Sequence, residues 1–338
     1  MRLKPGGFWF DPVDSSLFFS RNDPLDPRLG ERVHSVPAEL ADVFEDNLKN
    51  ALKAAKKSEA RAAVIAGYPD DEGIQINGGR LGAAQGPTEV RRFLYRMTPS
   101  LHIDSNTMLF DIGDLHVEGV PLLADRHEAA AYAALTALNE GAMWIGIGGG
   151  HDYGYPDAAA FCEWCQANHQ RPLVINFDAH LDVRPTTRGL SSGTPFFRML
   201  EEFPDTDFLE VGIQAHCNSR THLEWVKAKG ARVLTQEEIE ASGEPMVTAV
   251  LRVLDDWILR RRPVFISIDI DGFSSAVAPG CSQSWATGFM PQEFFPCFEV
   301  LKRRLDVKVL GIYEVSPPLD HDMRTAKLAA QIVHRVLA

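Results

Sequence analysis

A chain of 338 residues with 45% hydrophobic and 24% charged side chains has the make-up of a soluble globular protein with a sizeable core. Its net charge of -12, from 34 basic and 46 acidic residues, argues against nucleic acid as a partner. Five cysteines, an odd number, fit a reducing compartment better than a disulfide framework.

The N-terminal stretch "MRLKPGGFWFDPVDSS" lacks the apolar region of a secretory signal, and Pro5 and Asp11 break what apolar character it has. No run approaches the roughly 20 apolar residues that a membrane helix requires, so the reading is a cytoplasmic protein without a membrane partner. Residues 1–40, rich in Pro, Asp and Phe, read as an irregular arm. The segment "PAELADVFEDNLKNALKAAKKSEARA" is helical, with apolar residues three and four apart and a basic last turn. A strand-like "AAVIAGY" leads into a glycine-punctuated loop, and Pro87 is well placed near a helix start.

The alternation then repeats. Strand-like runs appear at "MLFDIG", "AMWIGIGGG", "LVINFD", "FLEVGIQ", "ARVL", "VFISIDID" and "VKVLGIYEV". Helical patterns separate several of them: "ADRHEAAAYAALTALNEG", "YPDAAAFCEWCQANH", "EPMVTAVLRVLDDWILRR" and the terminal "RTAKLAAQIVHRVLA". About eight strands with helices between them predict an α/β fold whose parallel sheet is covered on both faces. No linker divides the chain, so a single domain over 1–338 is expected. Cys162 and Cys165 form a C-x-x-C inside a predicted helix; without a second such pair or zinc-spaced histidines they read as ordinary packing residues or a surface pair.

The unusual residues fall at strand ends, where open parallel sheets bind their ligands. "WIGIGGGHD" ends in His151 and Asp152, "VINFDAHLD" in Asp178, His180 and Asp182, "FISIDIDGF" in Asp269 and Asp271, and "LGIYEVSPP" in Glu314. If the backbone stays extended, the period of two in D-A-H-L-D and D-I-D places each motif's charges on one side. The glycine run is not a dinucleotide fingerprint, because His151 fills its last position and no helix start follows directly. Four buried carboxylates at one place would repel and protonate. Two divalent cations would neutralise Asp178, Asp182, Asp269 and Asp271, with His151 and His180 as neutral ligands. Oxygen-rich ligation with two imidazoles and no thiolate favours Mn²⁺, while Ni²⁺, Co²⁺, Fe²⁺ or Zn²⁺ could bind the same set.

These motifs resemble those of the ureohydrolase family, the arginase and agmatinase group. The likeness runs from about Asn77 to the C-terminus and rests on GGGHD, NFDAHLD, SIDID and YEVSPPLD. It implies a three-layer α/β/α arginase-like fold, two Mn²⁺ per chain and a homo-oligomer. It also implies that Asp178 and Asp269 bridge the metals, that His151 and Asp182 complete one site, and that His180 and Asp271 complete the other. "NGGRLGAAQGPTEVRR", "SSGTPFFRML", "DGFSSAVAPGCSQSWATG" and "SPPLDHDMRTAKLAA" look most like the formimidoylglutamase branch, which acts in histidine degradation. The family's H-G-x-P loop reads Ser192-Gly193-Thr194-Pro195 here, and the aspartate that orients the first histidine is replaced by Gly150. Both departures speak against arginine as substrate.

The expected reaction is attack on an amidine carbon by a metal-bridging hydroxide, since water between two ions ionises near neutral pH. With N-formimino-L-glutamate the products are L-glutamate and formamide. Glu314 would pair with the protonated nitrogen, as the family's substrate-binding glutamate does, and Asp182 would return a proton to the leaving amine. A substrate with two carboxylates calls for arginines, and Arg184, Arg80 and Arg188 stand in or beside the motif loops, Arg184 only two residues beyond a metal ligand. Ser192, Thr194, Gln214 and Asn218 are further candidates for polar contacts. The alternatives are an agmatinase or guanidino-acid hydrolase releasing urea, a non-catalytic metal-binding relative, and a nucleotide-binding oxidoreductase that uses the glycine run.

Overall fold

The computed structural model describes residues 10–37, 41–99, 107–120, 122–258 and 261–338. Residues 1–9 of the expected arm, 38–40 at the head of the first expected helix, and 259–260 of "EPMVTAVLRVLDDWILRR" lie outside the described residues.

In chain order the strands are β1 (Phe10–Asp11), β2 (Val33–Ser35), β3 (Arg61–Gly67), β4 (Thr107–Leu115), β5 (Met143–Ile147), β6 (Leu173–Phe177), β7 (Asp207–Ile213), β8 (Arg232–Thr235), β9 (Pro263–Asp269) and β10 (Asp306–Tyr313). Between and after them lie α1 (Ala41–Lys57), α2 (Glu72–Ile76), α3 (Gly86–Leu94), α4 (Leu123–Asn139), α5 (Gly154–Ala167), α6 (Pro195–Glu202), α7 (Arg220–Ala228), α8 (Gln236–Ser242), α9 (Met246–Leu254), α10 (Pro291–Arg304) and α11 (Arg324–Leu337).

The strands form one 10-stranded sheet in the order β1-β4-β3-β5-β10-β9-β6-β7-β8, with β2 also paired to β4. Every pairing is parallel except that of β1, which runs antiparallel along β4. The expected eight strands are β3 to β10. The additional two come from the arm, which is therefore not wholly irregular.

The sheet is buried on both faces because its strands alternate between two cores. In β3, Ala63 and Ile65 belong to the core that α3, α9, α10 and α11 cover, whereas Val64 and Ala66 belong to the core under α1, α4, α5 and α6. This is the three-layer α/β/α arrangement. Pro87 stands in the first turn of α3 as expected. The α9 helix is shorter than its apolar pattern predicts: Asp255 takes φ +39, which breaks it, and a 3-10 turn follows at Asp255–Ile258. Helix α5 starts at Gly154, directly after a 3-10 turn at His151–Tyr153, and so lies closer to the glycine run than the sequence suggests. Cys162 and Cys165 are buried in α5, and all five cysteines are free thiols.

Candidate metal centre

The motif loops meet because their strands are neighbours. β5, β10, β9 and β6 are consecutive in the sheet, and residues 151, 314, 269–271 and 178–182 emerge from their carboxyl ends. The extended-rail expectation holds only up to the first aspartate of each motif. β6 ends at Phe177, and Asp271 already lies in a 3-10 turn at Ile270–Gly272. Turns, not pleating, aim the remaining ligands. The Asp178 carboxylate accepts from His180 N–H at 2.7 Å, and Asp269 accepts from Asp271 N–H at 2.9 Å. Such bonds from an aspartate to the backbone two residues on curl the chain back over its own strand end. Asp182 and Glu314 sit at φ +47 and +65, a left-handed conformation that few non-glycine residues adopt and that clusters at functional sites.

The side chains form two groups of closely spaced ligand atoms, His151–Asp178–Asp182–Asp269 and Asp178–His180–Asp271. The Nδ1 of His151 lies 3.1 Å from Asp178, 2.9 Å from Asp182 and 3.2 Å from Asp269. The Nδ1 of His180 lies 3.5 Å from Asp178 and 3.2 Å from Asp271. Asp178 belongs to both groups; Asp269, expected to bridge as well, falls within the first alone. An imidazole nitrogen carries at most one proton and cannot satisfy three carboxylate oxygens, and His151 Nδ1 is buried without a well-formed hydrogen bond. A cation among these atoms satisfies all of them, so the residues fit a divalent metal.

The electrostatics point the same way. Burial and the neighbouring Asp271 and Asp178 push the Asp269 carboxyl far up, and burial lifts Asp271 to about 6 despite His180. Burial alone would lower His151, but its three carboxylate partners raise it well above the ordinary imidazole value. Asp178 is buried too, yet the two imidazoles hold it well below the usual carboxylate range. The cluster gathers protons unless metal ions displace them. Glu314 is raised by burial and by Asp269 and Asp271, and its carboxylate accepts from His151 N–H at 3.2 Å.

The centre opens into a cleft of about 270 Å³ whose wall includes Asn77, Arg184, Ser192, Cys217, Trp285 and Glu314. Arg184 donates to the Asn77 side-chain oxygen at 2.6 Å, and Asn77 in turn donates to Ser192 Oγ at 3.0 Å. A second hollow shares His180, Asp182 and Arg184 and adds Arg188 and Asn218. The other expected contacts are spent elsewhere. Arg80 donates to the carbonyls of Ser282 and Cys281, at 2.9 and 3.0 Å, and does not line the cleft. Thr194 is buried and bonds Ser191. Gln214 bonds Thr287 at 2.7 Å. Asn218 donates to the carbonyls of Ala179 and Gln214 and accepts from Leu181 N–H, which braces the D-A-H-L-D loop.

A sequence profile described as "Arginase family" matches residues 61–338. The chain belongs to the arginase family. It is 31% identical over 337 residues to a formimidoylglutamase of Aeromonas hydrophila, an alignment spanning 97% of this chain and 99% of that protein. Identity to a formimidoylglutamase of Streptococcus gordonii is 32% over 276 residues, covering 80% and 82%. A Trypanosoma cruzi formiminoglutamase solved with Mn²⁺ is 29% identical and superposes with a TM-score of 0.73 over 86% of this chain and 96% of that one. A Bacillus subtilis formimidoylglutamase, at 22% identity and a TM-score of 0.77 over 94% and 93%, shares the fold.

In this arginase-family chain Gly150 leaves the first histidine without its expected aspartate. Ser267 takes over: its hydroxyl lies 2.9 Å from His151 Nε2, which leaves Nδ1 to face the carboxylates. Tyr313 stacks on the imidazole at 4.9 Å and Phe196 meets it edge-on at 5.3 Å. The Tyr313 hydroxyl donates to the buried Asp157 at 2.5 Å, and the ring fits because the strand beneath it carries Gly311, where a Cβ would fall 2.0 Å from that hydroxyl. The sequence offers a signal for Ser267. It stands two residues before Asp269, as Asn176 stands two before Asp178, a lone polar residue on the same strand face as the ligand.

Proposed function

We propose that this chain is a binuclear-metal hydrolase cleaving N-formimino-L-glutamate to L-glutamate and formamide, with two Mn²⁺ as its ions. His151, Asp178, Asp182 and Asp269 would hold one ion, and Asp178, His180 and Asp271 the other. The single observation that carries the reading is the sharing of Asp178 between two ligand groups at the floor of a cleft walled by Glu314 and Arg184. Similarity to formimidoylglutamases over nearly the whole chain supports the choice of substrate. Five free thiols suit a cytoplasmic setting, and the chain is best treated as one domain with an N-terminal arm.

Bound divalent ions supply Lewis acidity that brings water ionisation near neutral pH. The residues supply the rest. Glu314, pushed up by burial and by the neighbouring Asp269 and Asp271, gives up its proton only where a cation stands beside it, and the protonated formimino nitrogen provides one. That pairing holds the formimino carbon over the ligand floor. Arg184, exposed at the rim, pairs with a substrate carboxylate, with Arg188 and Ser192 beside it. The oxygen of water joins the formimino carbon, and the bond from that carbon to the glutamate nitrogen breaks. Asp182 carries the proton to the departing nitrogen, so formamide and the free amine leave.

The test is a product assay on Mn²⁺-loaded protein offered N-formimino-L-glutamate, arginine, agmatine and 4-guanidinobutyrate, with Asp269→Asn as blank. Glutamate and formamide from the first alone is the expected result. Urea from a guanidine would keep the metal chemistry and overturn the substrate, and no product from any would overturn the reading.

A further inference from the structure

Three polar side chains lie where the sheet should be apolar. Across the strands, Trp144, Val309, Phe265, Val174 and Phe208 form one in-register apolar row on the face covered by α4 to α6. Two residues further on, on the same face, the row reads Gly146, Gly311, Ser267, Asn176 and Glu210. The next row holds Tyr313, Asp269 and Asp178. Ser267, Asn176 and Glu210 thus form the layer directly beneath the ligands, and all are 0% exposed. Asn176 Oδ1 and Glu210 Oε1 have no hydrogen-bond partner among the described residues. Leaving a buried polar atom in that state costs stability, so packing alone does not explain their place in a hydrophobic layer.

Asp178 provides the role. Its two oxygens face different groups: Oδ2 is 3.1 Å from His151 Nδ1, and Oδ1 is 3.5 Å from His180 Nδ1. The backbone N–H of His180 fixes Oδ1 at 2.7 Å. On Oδ2 the neutral donor is the Asn176 amide, at 3.2 Å, and the same amide nitrogen donates to Glu210 Oε2 at 2.9 Å. An asparagine can turn its amide over at little steric cost, exchanging nitrogen for oxygen. Turned over, Asn176 would set an oxygen against Asp178. Glu210 Oε2 accepts the second bond from the same amide, so turning it over would break both bonds at once.

We propose that Glu210 and Asn176 are a positioning pair that holds Asp178 in the orientation in which it is shared by both metal ions. The proposal rests on the binuclear reading of the site. The experiment measures Mn²⁺ binding to metal-depleted protein by equilibrium dialysis, counting ions per chain, alongside the melting temperature of the metal-depleted protein. In Asn176→Leu and Glu210→Leu, Mn²⁺ binding should weaken by about 10–100-fold, while the metal-depleted melting temperature stays level or rises. Glu210→Gln keeps an acceptor for the Asn176 amide and should bind within about threefold of wild type, a rescue that a merely space-filling role would not produce. Should Asn176→Leu fail to fold, the Glu210→Leu and Glu210→Gln pair decides. Two ions per wild-type chain with unweakened leucine variants, or a Glu210→Gln protein as weak as Glu210→Leu, overturns the positioning pair alone. One ion or none per wild-type chain overturns it together with the binuclear reading.

Discussion

The two histidines of the candidate metal centre occupy opposite environments. The His151 side chain is 0% exposed, clasped between Tyr313 and Phe196 and bonded to Ser267. That of His180 is 20% exposed, lines the cleft and has Cys217 beside it. One ligand belongs to the core and the other to the cavity wall, although both serve the carboxylate of Asp178. The contrast teaches that half of this centre is set by sheet packing and the other half by loops, so a substitution should act through folding on one side and through metal exchange on the other.

The comparison can be broken at its common point. Asp178→Asn removes the shared charge and should lower activity about 10³-fold or more, with fewer than two Mn²⁺ retained per chain; retention of both ions would mean that Asp178 is not shared. Truncating each histidine sharpens it. His151→Ala leaves a hole in packed core and should destabilise the metal-depleted protein by about 2–4 kcal/mol, whereas His180→Ala, at a solvent-facing position, should cost about 1 kcal/mol or less. Equal losses in thermal or denaturant melts would erase the distinction. Ser267→Ala frees His151 Nε2 and should weaken Mn²⁺ binding about tenfold while metal-bound activity persists at saturating Mn²⁺.

The smallest effect is a pH dependence. Asp271 holds its proton to about 6 in the fold, against an ordinary 3.8. Between these values the native chain binds more protons than the unfolded one, so this group makes the metal-depleted protein less stable as pH rises from about 4 to 6. His151 and His180 are raised well above 6.5; they add stability below that pH and lose it as pH climbs through their folded values. Mn²⁺ bound among these groups would displace their protons, so the rise in melting temperature on adding Mn²⁺ should be larger at pH 8.5 than at pH 6. A pH-independent rise would show that the cluster does not gather protons.

Much of this was legible in the sequence, for identifiable reasons. The strands β3 to β10 carry long apolar runs, and the ligands are spaced charges at their ends. The strands β1 and β2, of 2 and 3 residues, are too short for any periodicity to register. Helix α10 escaped because Pro296 interrupts its pattern, although Pro291 in its first turn and Glu293, bonded back to Met290 N–H, mark its start. Arg80, Asn218 and Thr194 were plausible contacts by proximity along the chain. Their side chains instead close loops onto backbone carbonyls, a competition that sequence does not reveal. Asn176 and Glu210 were hidden inside strands whose neighbours are apolar.

The strand order also bears on how the molecule is made. β5 and β6 follow each other in the chain but stand apart in the sheet, and β10 and β9, which come later in the chain, fill the gap between them. Before residue 263 the chain has supplied only His151, Asp178, His180 and Asp182, from the ends of two strands that are not neighbours in the sheet. Asp269 and Asp271 arrive with β9, and β10, which wedges beside it, carries Glu314. Ribosomal exit therefore imposes a timetable in which the candidate ligand set cannot close before β9 has emerged. A product truncated before residue 263 lacks Asp269 and Asp271, two of the six side chains that would hold the ions.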